Sequence, residues 1–568
     1  MTTPTVSRAK DVQHTDVPRS GVFSIDQLIV LVPFLCVLAL FMGYLAILLI
    51  YGQAVLRFPF DYDQGEGFEL YDAVRLARGQ NIYLDNAVFP FYSSNYPPVF
   101  RLILTPLVWL FGPHLWVGRA VALACTLILG ALIFLAARRQ LAGAPESRRG
   151  VLTWFSLPSL IALLAALAFC AANYVYQIAP LARAHLPMVM FAFAGIYCLD
   201  RAFEGERAQR GYVIAGVALL IVAGLTKLQA IDALAAGFGY LLLRKPRWLI
   251  VALVISALSV AALVVVLNLA TQGQFWLNVV LANVNEYDIN QTWKTYEQWF
   301  QLQGALIVCS MAYVVWDVVN AIRARSFKLL TIWSLYFVAG SAMGMLTGKW
   351  GAGPTYLIAA IAASCVCTVA LLGRIAQGLQ ARLRQAQPRS RWAQRSSAYL
   401  LSLLCVPVFL VQAGLNVHLP TSGRLFGTLA RVLGVAGRSS NPPYPYYDGV
   451  GYTQLGHLLD SADVRNGWEL VRIAQTVPGP VWSEEAMLTL LAGKDVVTNP
   501  TQLLNLSKSN MLDTSEMLRM INAREFGAVI FRAQFYPQDV LIAIGHNYRW
   551  ARTVRMNGFD YQVLLPKP

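Results

Sequence analysis

From residue 27 to residue 417 the chain alternates long apolar runs with short polar ones. A helix needs about 20 apolar residues to cross a hydrocarbon core of about 30 Å. The pattern predicts eleven spans, at about 27–51, 115–137, 151–171, 184–200, 211–225, 228–243, 247–270, 303–320, 329–346, 355–373 and 397–417. The segment 100–112 is apolar but short and ends at Gly112-Pro113, which reads as interfacial or re-entrant. Spans 211–225 and 228–243 form a tight hairpin through Thr226-Lys227.

Two stretches break this pattern. One is the first outer loop, 52–114, which is polar between Phe58 and Arg101. The other is the tail. Pro480–Ser483, Asp495–Thr498 and Gly527–Phe531 read as strands, and Glu484–Leu491 and Ser515–Ala523 as helices. Asn557-Gly558 joins two further strand-like runs as a hairpin. The expected class is a polytopic α-helical membrane protein with a soluble C-terminal α/β domain. Its expected parts are a cytoplasmic N-terminal tail (1–26), a transmembrane domain (27–417), a linker (418–450) and an extracytoplasmic domain (451–568). The polar N-terminus lacks a signal-peptide pattern, so the first span is expected to be retained.

Composition agrees with a membrane protein. Hydrophobic residues make up 57% of the 568 and charged residues 13%, about half the charged share of a soluble domain. The net charge of +15 does not imply nucleic acid, because the cations fall between spans. With the N-terminus inside, the inner segments hold 22 Lys and Arg and the short outer loops, without the 100–112 segment, 7. That is the positive-inside pattern. It puts the 52–114 loop, Arg183 with His185, Lys227, Tyr287–Trp299, Lys349 and the tail on the outer side. The eight cysteines lie in or beside apolar runs without a CxxC pair. Disulfides and cysteine metal sites are therefore not expected, and a single His185 gives no zinc site.

The first outer loop carries Asp61, Asp63, Glu66, Glu69, Asp72 and Asp85. Carboxylates leaving the membrane at the spacing of Asp61, Asp63 and Glu66 suit a general base, a metal site or both. The alternative is a solvated acidic loop. Lys227, Arg183 and Lys349 are outer cations beside short or broken spans. Each alone reads as a snorkelling anchor; three on the side of the carboxylates suit a phosphate. Gly348, Gly351 and Gly353 around Lys349 and Trp350 allow close backbone approach. Outer aromatics, among them Tyr96 and Tyr287–Trp299, suit an interfacial belt or sugar stacking.

These residues also carry a resemblance. DYDQGEGFELYDAVRLARGQNIYLD followed by YPPVFRLILTPL resembles the first outer loop of bacterial C-type (GT-C) glycosyltransferases, relatives of the protein O-mannosyltransferases and the lipid A aminoarabinose transferase. The matching positions are Asp63, Glu66 with Gly67, Ala73, Gly79, Tyr83 and Tyr96-Pro97-Pro98. AGLTKLQAI is similar to a TK motif of the family, and GKWGAGPTYLI to its glycine-rich segment, with Thr355-Tyr356 where asparagine-tyrosine is common. VWSEEAMLTLLAGKDVVTNP resembles an outer domain of bacterial members. One departure is Arg183-Ala184-His185, where relatives often have arginine–x–aspartate, so no role for an acid there carries over.

The resemblance implies inverting transfer of a sugar from polyprenyl phosphate at the outer leaflet of the bacterial cytoplasmic membrane. The acceptor would be a lipid, a glycan or a protein. Asp63, Glu66 or Asp61 would supply the base. Lys227, Arg183 and Lys349 would hold the phosphate, and Tyr96, Tyr356 and Trp350 would contact substrate. No cofactor is implied as obligatory, and a divalent metal, Mg or Mn, is optional. The competing class is a transporter or lipid flippase of cell-envelope precursors. It needs ionisable groups within spans, and only Asp232, with Arg119 and Asp317 near ends, offers them.

Overall fold

The computed structural model describes residues 25–141, 156–204, 209–388, 397–416, 424–432 and 458–568. Most of the N-terminal tail and most of the 418–450 linker lie outside the described residues. The protein is a multi-pass membrane protein. Among the described residues, six helices are long and apolar enough to cross a membrane by length and composition, and four shorter apolar helices accompany them.

The membrane part begins with α1 (Ile25–Arg57). The loop after it contains α2 (Glu66–Ala77) and leads to α3 (Val99–Phe111). α3 is the short apolar segment expected at the interface. Its first half buries Phe100, Arg101 and Leu104, while Trp109 and Leu110 at its end are exposed. Next come α4 (Leu115–Leu141), α5 (Leu157–Cys170), α6 (Asn173–Ile178) and α7 (His185–Ala202). α8 (Arg210–Thr226) and α9 (Ile231–Arg244) follow, then α10 (Pro246–Ala270) and α11 (Gln274–Val279). The set closes with α12 (Ile289–Arg323), α13 (Ile332–Met343) and α14 (Ile358–Ala386), with Ser397–Leu415 last.

α14 is the axis of the bundle: 94% of its apolar window is buried, because it is rich in Ala and Cys and small side chains let neighbours close in. α7 and α8 use the same device. A methyl on Gly195 would lie 2.9 Å from the Gly216 carbonyl oxygen, and one on Gly216 3.1 Å from that of Gly195. Lipid offers no hydrophobic drive for helix association, so this close fit supplies the packing.

The α8–α9 hairpin forms where Thr226-Lys227 predicts it, with a 3-10 turn at Leu228–Ala230. α12 departs from expectation by starting at Ile289 rather than 303. Asp288 caps it, accepting from the Asn290 N–H. The outer aromatic stretch is therefore helical, and the backbone breaks at Gln303 (φ −128°, ψ 15°) where it joins the membrane part.

The tail builds a four-stranded sheet in the order β1-β2-β4-β3. β1 (Val481–Ser483) runs parallel to β2 (Ala528–Phe531), which is antiparallel to β4 (Phe559–Pro566). β3 (Tyr548–Met556) and β4 form the expected hairpin, with Asn557 (φ 51°) and Gly558 (φ 76°) supplying the left-handed pair of a tight turn. Helix Ser461–Thr476 packs alongside, started by a capping box between Asp460 and Asp463. Asp495–Thr498, expected as a strand, is not one. Among the described residues its one ladder contact is a single bridge from Thr498 to Phe91 in the loop after α1. Val496 and Val497 are both buried, against separate clusters, so the run anchors the tail to the loop instead of extending the sheet.

Candidate active site

The chain leaves the membrane at Arg57 and must turn before α2. Arg119, wholly buried on α4, makes that turn. Its Nη1 donates to the Val55 (2.6 Å) and Phe58 carbonyls, and its Nη2 to the Phe60 carbonyl (2.8 Å). Nε and Nη2 also reach Glu66 Oε1 and Oε2 at 2.9 and 2.8 Å. The same carboxylate accepts the backbone N–H of Ala182 at 2.7 Å, of Tyr62 at 3.0 Å and of Asp63 at 3.2 Å. Burial alone would push Glu66 up, but Arg119 and these donors hold it below its ordinary value. Glu66 thus ties loop, α4 and the α6–α7 connection together. It does not face an aqueous cleft.

Asp61 is buried too. Its Oδ1 accepts from Gly67 N (2.5 Å) and its Oδ2 from Met487 N (3.0 Å), across to the tail domain. Burial, with Glu485 and Glu66 nearby, pushes it well above the usual carboxylate range. Other links join the tail to the loop. Asn557 Nδ2 donates to the Tyr62 carbonyl at 3.0 Å, and Phe60 packs edge-on to Trp468 with ring centres 5.4 Å apart. Asn278, after α10, accepts from Asn86 at 2.6 Å and from Gln502 at 2.7 Å. It therefore joins the first loop, the membrane domain and the tail.

Asp63 differs from both. Its Oδ1 holds the Gly65 N–H at 2.8 Å, while Oδ2 faces Arg183 Nε at 3.6 Å, beyond hydrogen-bond length. A methyl at Gly65 would meet the Arg183 guanidinium, so any larger residue there displaces that side chain.

Arg183 opens a cluster of cations. Lys227, 5% exposed, sits at the end of α8 with Nζ 2.5 Å from His185 Nε2 and 4.7 Å from the centre of the Tyr96 ring. Arg101 lies over the same ring at 5.2 Å. Burial, then repulsion from Arg183, pushes Lys227 well below its ordinary value, with Lys349 and Arg101 adding to the effect and Glu69 opposing it. Lys349 is held by the Asn283 carbonyl at 2.8 Å, and burial lowers it as well. Tyr356 stands beside Tyr96 and Gln229.

The structure thus brings together Asp63, Arg183, Lys227, Tyr96 and Tyr356, with Lys349 near enough to repel Lys227. Trp350 stands apart, under Lys508 of the tail at 5.0 Å. Sequence reasoning named Glu69 and Asp72 without a role and passed over Arg101, which pairs with both. Arg101 meets Glu69 at 2.6 Å and Asp72 at 3.2 Å. The signal was the three-residue spacing of Glu69 and Asp72, which puts both on one face of α2. Burial outweighs Arg101 at both and pushes them up.

Among the described residues no group of three or more His, Cys, Asp or Glu is placed to hold a metal ion. Asp61 is held by backbone N–H groups and Glu66 by Arg119 and backbone N–H groups, so both oxygens of each are already engaged.

No protein-family model matches the chain, and no curated protein matches it. Solved structures do. ArnT from Cupriavidus metallidurans in the apo state superposes with a TM-score of 0.52 at 14% identity, over 93% of this chain and 98% of that one. The same protein bound to undecaprenyl phosphate gives 0.52 at 13% identity, over 93% and 99%. The chain has the GT-C fold. The loop after α1 and the α8–α9 hairpin meet at the cation cluster, through Asp63 at Arg183 and Tyr96 at Lys227.

Proposed function

We propose that this protein is a membrane glycosyltransferase that moves a hexosyl or pentosyl group from polyprenyl phosphate to an acceptor, with inversion. The reaction lies on the outer side of the bacterial cytoplasmic membrane, with the N-terminus inside. One observation carries the reading: Lys227 is buried beside Arg183, Lys349 is half-buried near Lys227, and among the described residues neither lysine has a carboxylate within ion-pair distance. Buried cations without counter-charge are costly, and a ligand phosphate supplies that charge. That one ArnT structure holds undecaprenyl phosphate supports the same ligand here.

The chemistry follows from the parts. An acceptor hydroxyl attacks the anomeric carbon as its proton passes to Asp63, which, unlike Asp61 and Glu66, has an oxygen that no backbone N–H holds. The bond from that carbon to the phosphate oxygen breaks. The leaving polyprenyl phosphate gains a negative charge, which Lys227, Arg183 and Lys349 stabilise where it develops. Glu66 and Asp61 position the loop. Lys227 carries its proton more readily once phosphate is bound, because the anion reverses the repulsion that depresses it. The acceptor class is a lipid, a glycan or a protein.

The test is purified protein with radiolabelled polyprenyl-phosphate sugars and membrane extract as acceptor source. Wild type should consume a donor. Asp63→Asn should transfer on the order of 10²–10⁴-fold more slowly with donor affinity kept. Transfer by Asp63→Asn at the wild-type rate would remove the base and, with it, the mechanism.

A further inference from the structure

Around the cation cluster lie buried side chains with polar atoms left unmatched among the described residues. Gln229, two residues after Lys227, is 6% exposed, and neither amide atom has a partner of good geometry, although the Tyr356 hydroxyl stands beside it. His185, whose Nε2 meets Lys227, is 7% exposed and leaves Nδ1 unmatched. Gln64 lies in the Asp63–Gly65 turn that wraps Arg183. It is 1% exposed with both amide atoms unmatched. Asn173 is in the same state, on the short α6 that packs against Pro354–Leu357. Folded proteins pair the great majority of buried polar groups. Several side-chain amides left unmatched around one charged cluster therefore indicate a ligand with many hydroxyl groups. An amide presents both donors and an acceptor, which is what a sugar hydroxyl needs.

The charges narrow the ligand further. Arg101 engages Glu69 and Asp72, and Arg183 faces Asp63. Among the described residues these carboxylates of the cluster each face an arginine, while Lys227 and Lys349 would repel a cationic substituent.

We infer that Gln229, Gln64 and His185 Nδ1 form the sugar subsite beside Lys227, and that it takes an uncharged polyhydroxyl sugar and rejects an amino sugar. This rests on the transferase reading, which places a glycosyl phosphate at Lys227.

The experiment measures equilibrium binding to the full chain in detergent for three lipids of equal chain length. The first is a polyprenyl methyl phosphodiester, which carries the donor's single negative charge and no sugar. The second carries a neutral hexose in place of the methyl group, and the third an amino sugar. The neutral donor should bind on the order of tenfold more tightly than the methyl diester, and the amino-sugar donor should not. Gln229→Leu and Gln64→Leu should each remove most of that gain, leave the methyl diester unaffected and melt no lower than wild type, since they delete unmatched polar groups.

If the methyl diester fails to bind, the phosphate site falls and the subsite with it. Should the methyl diester bind while the hexose adds nothing, or the amino sugar bind as tightly as the hexose, the subsite is refuted and the phosphate site stands. Leucine variants that keep the full preference for the hexose would refute these residues as its lining.

Discussion

Replacing Glu66 by Gln tests whether this carboxylate holds the loop together or does chemistry. The side chain has 0% exposure and receives five donors, two from Arg119 and three from backbone. Glutamine keeps one acceptor oxygen. Its amide group then points donors at donors, and Arg119 is left buried without a counter-charge. Breaking a buried pair from one side costs about 3–5 kcal/mol. Arg119→Met should cost at least as much, because three carbonyls of the loop turn also lose their donor. The two losses share one network, so the double variant should fall short of their sum by about 2 kcal/mol or more. Thermal unfolding of the four proteins in one detergent measures this. pH gives an independent reading. Glu66 is held below its ordinary 4.5, so its stabilisation is complete above that value and is lost as pH falls through the lower folded-state value. Strict additivity, or a Glu66→Gln variant that melts with wild type but transfers no sugar, would refute the structural role and return Glu66 to catalysis.

Three other outcomes follow. Lys227→Met should weaken donor binding strongly yet melt at or above the wild-type temperature without ligand, because it removes a buried cation that Arg183 repels; Lys227→Arg should keep part of the binding through its charge. Asp61→Ala should expose the loop–tail interface to limited proteolysis near Met487, and unchanged cleavage would show that the contact to Met487 is dispensable. A tag after Pro568 should be cut by external protease in spheroplasts; full protection would invert the topology and place the site on the inner face.

Much of the fold was legible because its signals are local. Apolar runs mark helices by length alone, and Asn557-Gly558 marks a hairpin by what its backbone can adopt. The extension of α12 was less legible, since Ile289–Leu302 mixes aromatic and polar residues and belongs to no apolar run. The site was legible in its residue types but not in their pairing. Asp61, Asp63 and Glu66 look alike as neighbours in a loop. What separates them is Met487, Arg183 and Arg119, residues 426, 120 and 53 positions away, and no local pattern encodes such contacts. Gln64 and Gln229 were invisible for a related reason. An amide beside a charge draws notice only when the surrounding structure shows it buried without a partner.

The seating of the tail on the loop bears on how the protein is made. The loop after α1 leaves the ribosome hundreds of residues ahead of Met487 and Asn557, which close on Asp61 and Tyr62 across separations of 426 and 495. Until those partners arrive, Asp61 lacks its Met487 donor and the Tyr62 carbonyl its Asn557 donor, while Glu66 already has Arg119 and Asp63 already faces Arg183. A ribosome that stalls after the last span would leave a bundle with its helices in place and the Asp61 corner of the loop unanchored. The docking contacts therefore make the tail the last part of the chain to fix the shape of that loop.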